Sequence, residues 1–223
     1  MNITYQKITY QDCMDIIKNK HYAHRVPSIS YAYGVKVDNE IMGIITFGSP
    51  ASSSLCKGVC GIEYKSNVIE LNRLWLDDSL PKNTASQLIG YAFNHMKQQG
   101  NFVVVSYADS GMGHVGAIYQ ATNFLFTGKT KSRTDKYSGV GKHSRHYDKN
   151  AVETYRQLRT SKYRYIIFIG NKTFKKNARK ALNYPVLPYV KHDSKHYNVG
   201  DSQTVYLKDM SDGSIIKESD IDV

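Results

Sequence analysis

An α/β (α+β) domain, with a mixed central sheet flanked by helices, is the fold class predicted for this 223-residue chain. Three observations carry it. Tyr31 to Val37 and Ile41 to Phe47 are apolar runs around Asp38-Asn39-Glu40, a hairpin signal. Glu70 to Phe93, ELNRLWLDDSLPKNTASQLIGYAF, reads as a buried strand, a polar turn and an amphipathic helix. Phe102 to Tyr107, FVVVSY, is an apolar strand of the kind buried on both faces. Hairpin, strand, helix and strand in that order make layers around one core.

Taken in order, Ile3 to Ile8 predicts an opening strand and Asp12 to Lys20 a short helix with Met14, Ile16 and Ile17 inward. His21 to Ser28 is a polar, aromatic loop, and Ser49 to Gly61 a loop dense in Ser and Gly. Val68 to Leu76 is a strand on which Glu70 and Asn72 share a face, where they are expected to line the cleft, and Arg73 takes the other. In the turn that follows, Thr84 and Gln87 have capping-box spacing. Ala85, Leu88, Ile89, Ala92, Phe93 and Met96 then recur at helical spacing. The mouth of such a helix leaves free N–H groups and a partial positive charge, which together favour an anion. Asp109 to Gly113 is a glycine-rich stretch leading to a helix around Val115 to Thr122, and Leu125 to Lys129 is extended. Ala151 to Arg159 is expected to be helical, Tyr163 to Ile169 a strand and Thr173 to Leu182 a basic helix. Residues 1–190 are expected to form one domain with a basic insertion at about 129–150; residues 191–223 are expected to be a loosely attached polar tail.

The formal net charge of +11 favours a polyanionic partner, most simply nucleic acid. The stretch from Lys129 to Lys149 is densely cationic, with almost no aliphatic residue, and is the segment best suited to phosphates. The three cysteines, an odd number, and the lack of a secretory leader predict a reducing, cytoplasmic setting. Cys56 and Cys60 form C-x3-C with no second matching pair, which reads as two ordinary thiols. No apolar run approaches membrane-spanning length. Oligomeric state stays open, a homodimer included.

The element order resembles the GNAT acyltransferase architecture. In that fold the turn before the central helix wraps the coenzyme A pyrophosphate, and a Tyr on the following helix protonates the departing thiolate. The turn here, Pro81 to Ser86, lacks the usual Gln/Arg-x-x-Gly-x-Gly/Ala run. A closer likeness covers about His21 to Tyr189. ELNRLWL, LPKNTASQLIGYA, SYADSGMGHVGAIYQATNFLFTG and GKHSRHYDK together resemble the Mom family of bacteriophage DNA-modification proteins. The resemblance implies a GNAT-related transferase that adds a methylcarbamoyl (acetamido) group to adenine N6 in double-stranded DNA, shielding phage DNA from host restriction. The other enzyme reading is a GNAT acetyltransferase acting on a protein, a small amine or tRNA; a non-catalytic DNA binder is the third.

Residue by residue, the resemblance places chemistry on Asp109 at a strand end, where open α/β sheets hold ligands. It also places chemistry on Tyr119, with Ser106 beside them. The implied group donor, acyl-CoA-like or glycine-derived, is expected at Leu74, Leu76, Asn83, Thr84, Ala85, Ser86 and Asn123. Adenine is expected in one pocket with both Asp109 and Tyr119. Arg25, Lys131, Arg133, Lys142, His143, Arg145 and His146 are the expected DNA contacts. His21 and Tyr22 match a pair linked in that family to iron, with Asp109 able to complete such a site.

Overall fold

A computed structural model describes residues 2–139, 147–148, 153–191 and 204–221. In chain order its strands are β1 (Ile3–Lys7), β2 (Tyr31–Val37), β3 (Glu40–Gly48), β4 (Val68–Leu76), β5 (Phe102–Asp109), β6 (Leu125–Lys129), β7 (Arg133–Lys136), β8 (Tyr155–Arg159), β9 (Lys162–Ile169), β10 (Tyr206–Asp209) and β11 (Ile215–Lys217). The helices are α1 (Tyr10–Asn19), α2 (Ser53–Cys60), α3 (Thr84–Gln99), α4 (Ala117–Ala121) and α5 (Lys172–Lys180).

The expected hairpin forms β2 and β3. Asp38 and Asn39 take φ of 48° and 73°, the left-handed pair that a two-residue hairpin turn requires. Seven strands make one mixed sheet in the order β1-β2-β3-β4-β5-β9-β6. Its one parallel pair is β4 with β5, and their pairing stops at Leu71 opposite Ser106. β4 runs on to Leu76 and β5 to Asp109, so the two strands part and open a wedge at their carboxyl ends.

Helices cover both faces. Leu88, Ile89, Ala92 and Met96 of α3 pack with Tyr33, Phe47, Val104 and Tyr165 on one side. Val59, Cys60 and Ala178, from α2 and α5, pack with Val103 and Val105 on the other. Such burial of Leu, Ile, Phe and Val is worth about 1.5–3 kcal/mol per side chain.

Several expectations need correction. Ser53–Cys60 is a helix rather than a loop: the Ser52 hydroxyl caps it by accepting from the Leu55 N–H. Its Val59 and Cys60 find cover under α5 that the Ser/Gly content concealed. The expected helix at 151–159 is the strand β8, which lies between β7 and β10. There is no capping box at Thr84 and Gln87. Asn83 occupies the cap position at φ 71° without a side-chain bond, and the Thr84 hydroxyl donates to the Pro81 carbonyl. The capping box is instead at α1, between Thr9 and Asp12. Of the segment expected as a tail, residues 206–209 and 215–217 are strands. β11, β10, β8 and β7 form a four-stranded sheet, and Leu207 of β10 is fully buried in it.

Candidate functional site

The parting of β4 and β5 creates a cavity of about 360 Å³. Leu71 to Leu74 from β4, Tyr107 and Ala108 from β5, and Gly116 to Tyr119 at the start of α4 line it, together with His21, Tyr22 and His114. Gly116 has to be glycine, because its φ is 83° and a Cβ would lie 2.4 Å from the Tyr165 ring. That close approach brings the first turn of α4, and with it Tyr119, down onto the wedge.

Tyr119 is buried between Phe124 and Tyr165, with ring centroids 5.2 and 5.3 Å away. Burial pushes its phenol up to about 12; a hydrogen bond with Ser106 opposes the rise and the nearby Glu70 charge adds to it. Ser106 is buried and donates its own proton to the Leu71 carbonyl at 2.9 Å. Glu70 sits in the same cavity. Desolvation raises its carboxyl above the ordinary range, partly countered by the charges of Arg73 and Lys162.

Arg73 was expected on the face opposite Glu70. The register shows why both reach one cavity: Thr46 pairs with Arg73 and Phe47 with Leu71, so Asn72 is an extra residue in β4. Such a bulge re-aims the following side chain. Asn72 is held by Thr46 and by the Ser28 carbonyl. The Arg73 guanidinium donates to the carbonyls of Asn72 and Arg25, both at 2.6 Å. Its Nε is buried without a hydrogen-bond partner.

His21 and Tyr22 form the aromatic wall of the cavity, stacked at 4.5 Å, with His114 edge-on to Tyr22 at 5.6 Å. Burial first, then the charges of Arg73, His24 and His114, lowers the His21 imidazole to about 3. Its Nδ1 accepts from the Ala23 N–H at 3.0 Å, which leaves that nitrogen no proton of its own. Among the described residues no three His, Cys, Asp or Glu side chains converge on a metal position. The His21 nitrogen nearest the chain is already engaged, and Asp109 lies elsewhere. This donor set does not fit an iron centre.

Asp109 does end β5 as expected, but it does not share a cavity with Tyr119. Its carboxylate is 2% exposed and lines a second, larger space of about 550 Å³ between the two sheets. Gly111 N–H and the Thr160 hydroxyl donate to Oδ1 at 2.9 and 2.8 Å, and Lys162 Nζ lies 2.9 Å from Oδ2. Burial raises this carboxyl, but the Lys162 charge and the three hydrogen bonds outweigh it and leave the pKa below the usual carboxylate value. Lys162 lines both cavities and divides them. The one-pocket expectation is therefore replaced by two adjoining chambers. The smaller one holds the opposed, pKa-shifted acid and base groups and is the candidate active site.

The remaining expected residues scatter. Leu74 lines the wedge, whereas Leu76 lies at the far end of β4, opposite Gly43. Asn83, Thr84, Ala85 and Ser86 make the first turn of α3, outside both cavities, with the Ser86 hydroxyl turned to the Asn83 carbonyl. Asn123 is exposed at φ 63°, in the turn that ends α4. Arg25, Lys131 and Arg133 are exposed. Lys142, His143, Arg145 and His146 lie outside the described residues. Glu70 and Asn72 line the wedge as expected, Glu70 with no chemical role assigned to it beforehand, whereas Arg73 and Lys162 were not expected there. Glu70 and Arg73 were legible as charges on a central strand, where burial is costly without a purpose.

No helix among the described residues is long and apolar enough to cross a membrane. In outline the chain is similar to an N-acetyltransferase from Staphylococcus aureus Mu50, at 17% identity and TM-score 0.46 over 75% of this chain and 98% of that one. It is also similar to a GNAT family acetyltransferase from Elizabethkingia anophelis with acetyl-CoA bound, at 12% identity and TM-score 0.41 over 74% and 97%. In sequence it is 33% identical over 196 residues to the "Methylcarbamoylase mom" of Escherichia phage Mu, covering 79% of this chain and 78% of that one. The sequence model of the Mom protein family matches residues 2–191, a span that contains β1 to β9 and all the lining residues of the smaller cavity. The chain belongs to the Mom protein family.

Proposed function

We propose that this chain is a transferase that adds a methylcarbamoyl (acetamido) group to adenine N6 in double-stranded DNA, protecting phage DNA from host restriction in the bacterial cytoplasm. Family membership and the phage Mu methylcarbamoylase support the reaction class. One observation carries the reading to these residues: Tyr119, Glu70 and Arg73 meet in the wedge where β4 and β5 part. The net charge of +11 and the exposed Arg25, Lys131 and Arg133 support a DNA partner.

An acyl-CoA-like or glycine-derived donor supplies an activated carbon and a leaving group. Leu74 and the opened edge of β4 would hold its reactive end. The first turn of α3, Asn83 to Ser86, would face its anionic part, as helix N-termini do. Adenine N6 is a weak nucleophile, its lone pair being delocalised into the ring, so positioning supplies much of the rate.

Two carboxyls pushed in opposite directions divide the work. Asp109, held ionised, anchors Lys162 at the edge of the wedge. Glu70, raised, accepts the proton that N6 sheds as its new bond to carbon forms. Tyr119, still protonated at neutral pH, gives its proton to the group whose bond to that carbon breaks. Ser106 can then turn its hydroxyl proton from the Leu71 carbonyl to the phenolate. The Arg73 charge steadies the ionised Glu70.

Mass spectrometry of nucleosides from plasmid DNA of expressing cells tests this. Deoxyadenosine heavier by one acetamido substituent is expected with the native chain and not with Tyr119→Phe or Glu70→Gln. Unmodified nucleosides despite soluble native protein refute it.

A further inference from the structure

We infer that the larger chamber, on the far side of Lys162 from the wedge, receives the adenine ring after it has swung out of the duplex, with its exocyclic amine at the Lys162 divide. The inference rests on the proposed DNA reaction and supplies what that reading lacks, a seat for the base.

Four features fit a purine better than another ligand. At about 550 Å³ the chamber falls within the range of about 300–1,000 Å³ usual for small-molecule sites. Its inward cations are already paired: Arg159 with Asp135 at 2.9 Å and Lys162 with Asp109 at 2.9 Å. An interior with its cations so neutralised suits a neutral ring rather than a free anion. Ser132, Thr134 and Gln157 add uncharged hydrogen-bonding groups to the lining, which suit the edge of a base. Asp109 Oδ1 takes two donors but Oδ2 only Lys162, so a lone pair of Oδ2 is left for an amine N–H.

The third feature's complement lies at the rim. The Arg133 side chain, 73% exposed, lies there 3.3 Å from the Asp135 that also pairs with Arg159, so two arginines share one carboxylate and a net positive charge remains at the mouth; Tyr206 is 42% exposed. A cation for phosphate and an aromatic face for stacking at the mouth are what an extruded nucleotide meets on entry. Tyr206 comes from β10, past the residues that the family model matches. The C-terminal strands thus serve as a wall of this chamber, and the family-matched segment supplies its floor.

The test needs no group donor. Duplexes in which 2-aminopurine stands beside the target adenine, which keeps its own N6 amine, in a panel covering each neighbouring base, are titrated with full-length protein. Unstacking of the base is read as a severalfold rise in fluorescence. Native protein is expected to produce the rise in at least one context. Ser132→Trp, which puts an indole at the chamber lining, should give no rise even at protein concentrations that saturate the duplex in a separate mobility-shift titration. Gln157→Leu, which keeps the volume but removes a polar contact, should weaken the rise about three- to tenfold and serves if the tryptophan variant fails to fold. Absence of a rise in every context, or a rise that both variants leave intact, overturns the inference. A chamber-dependent rise alongside unmodified cellular DNA would instead leave this inference standing and sink the proposed reaction.

Discussion

Acidification should destabilise this protein through one imidazole. His21 is 4% exposed, and its pKa is lowered from 6.5 to about 3. Between those values the unfolded chain binds a proton that the folded chain refuses. Stability from this group is therefore complete above pH 6.5 and is lost steadily as pH falls toward 3. At pH 5 the gap is about 1.5 pH units, and at about 1.4 kcal/mol per unit the loss is about 2 kcal/mol. Against a total of about 5–15 kcal/mol that is a large share. The assay is urea unfolding of chelator-treated protein at pH 7.5, 6 and 5, for the native chain and for His21→Asn. Asparagine offers an oxygen where Nδ1 accepts from Ala23. The variant should be weaker at every pH but flatter across the series, and the difference in slopes isolates His21 from the other histidines. Parallel slopes, or an NMR titration of His21 near 6.5, would show that the ring is not held neutral by its surroundings.

Glu70→Gln should abolish the acid limb of the pH–rate profile, which in the native protein falls at a pH above the ordinary glutamate value of 4.5. The rate of adenine modification in extract should drop about 10²–10⁴-fold. Tyr119→Phe should cost a similar factor while leaving urea unfolding within about 1 kcal/mol of native, since it loses a single hydroxyl bonded to Ser106; an unchanged rate would remove Tyr119 from the chemistry. Gly116→Ala should destabilise by about 2–5 kcal/mol, combining left-handed strain with the contact at 2.4 Å to Tyr165, visible as a lowered midpoint in thermal unfolding.

The parts of the fold that local pattern dictates were readable before any coordinates. Alternation and the Asp38-Asn39 turn marked the β2–β3 hairpin, and apolar continuity marked β5. What escaped was set by partners distant in the chain. β8 carries Tyr155-Arg-Gln-Leu-Arg, which has no clear period of its own and becomes a strand because residues beyond 205 pair with it. α2 is helical under the cover of α5, about 120 residues away. In the site, Tyr119 and Asp109 were legible as residues, but their separation was not. Which side of β5 each faces depends on the small sheet and on Lys162. The bulge at Asn72 was equally silent, since one extra residue leaves the same letters on the strand while turning Arg73 around.

The order of the small sheet also carries a consequence for biosynthesis. β7 and β8 make only a two-stranded ribbon until β10 docks on the free edge of β8, and such a ribbon is marginal in water by itself. Every residue of the wedge is translated before that happens, because Thr204, Val205 and Tyr206 follow them all in the chain. A nascent polypeptide, or one clipped before β10, would thus hold every group of the wedge yet lack one wall of the larger chamber, so that second compartment is completed only when β10 has been synthesised and has docked.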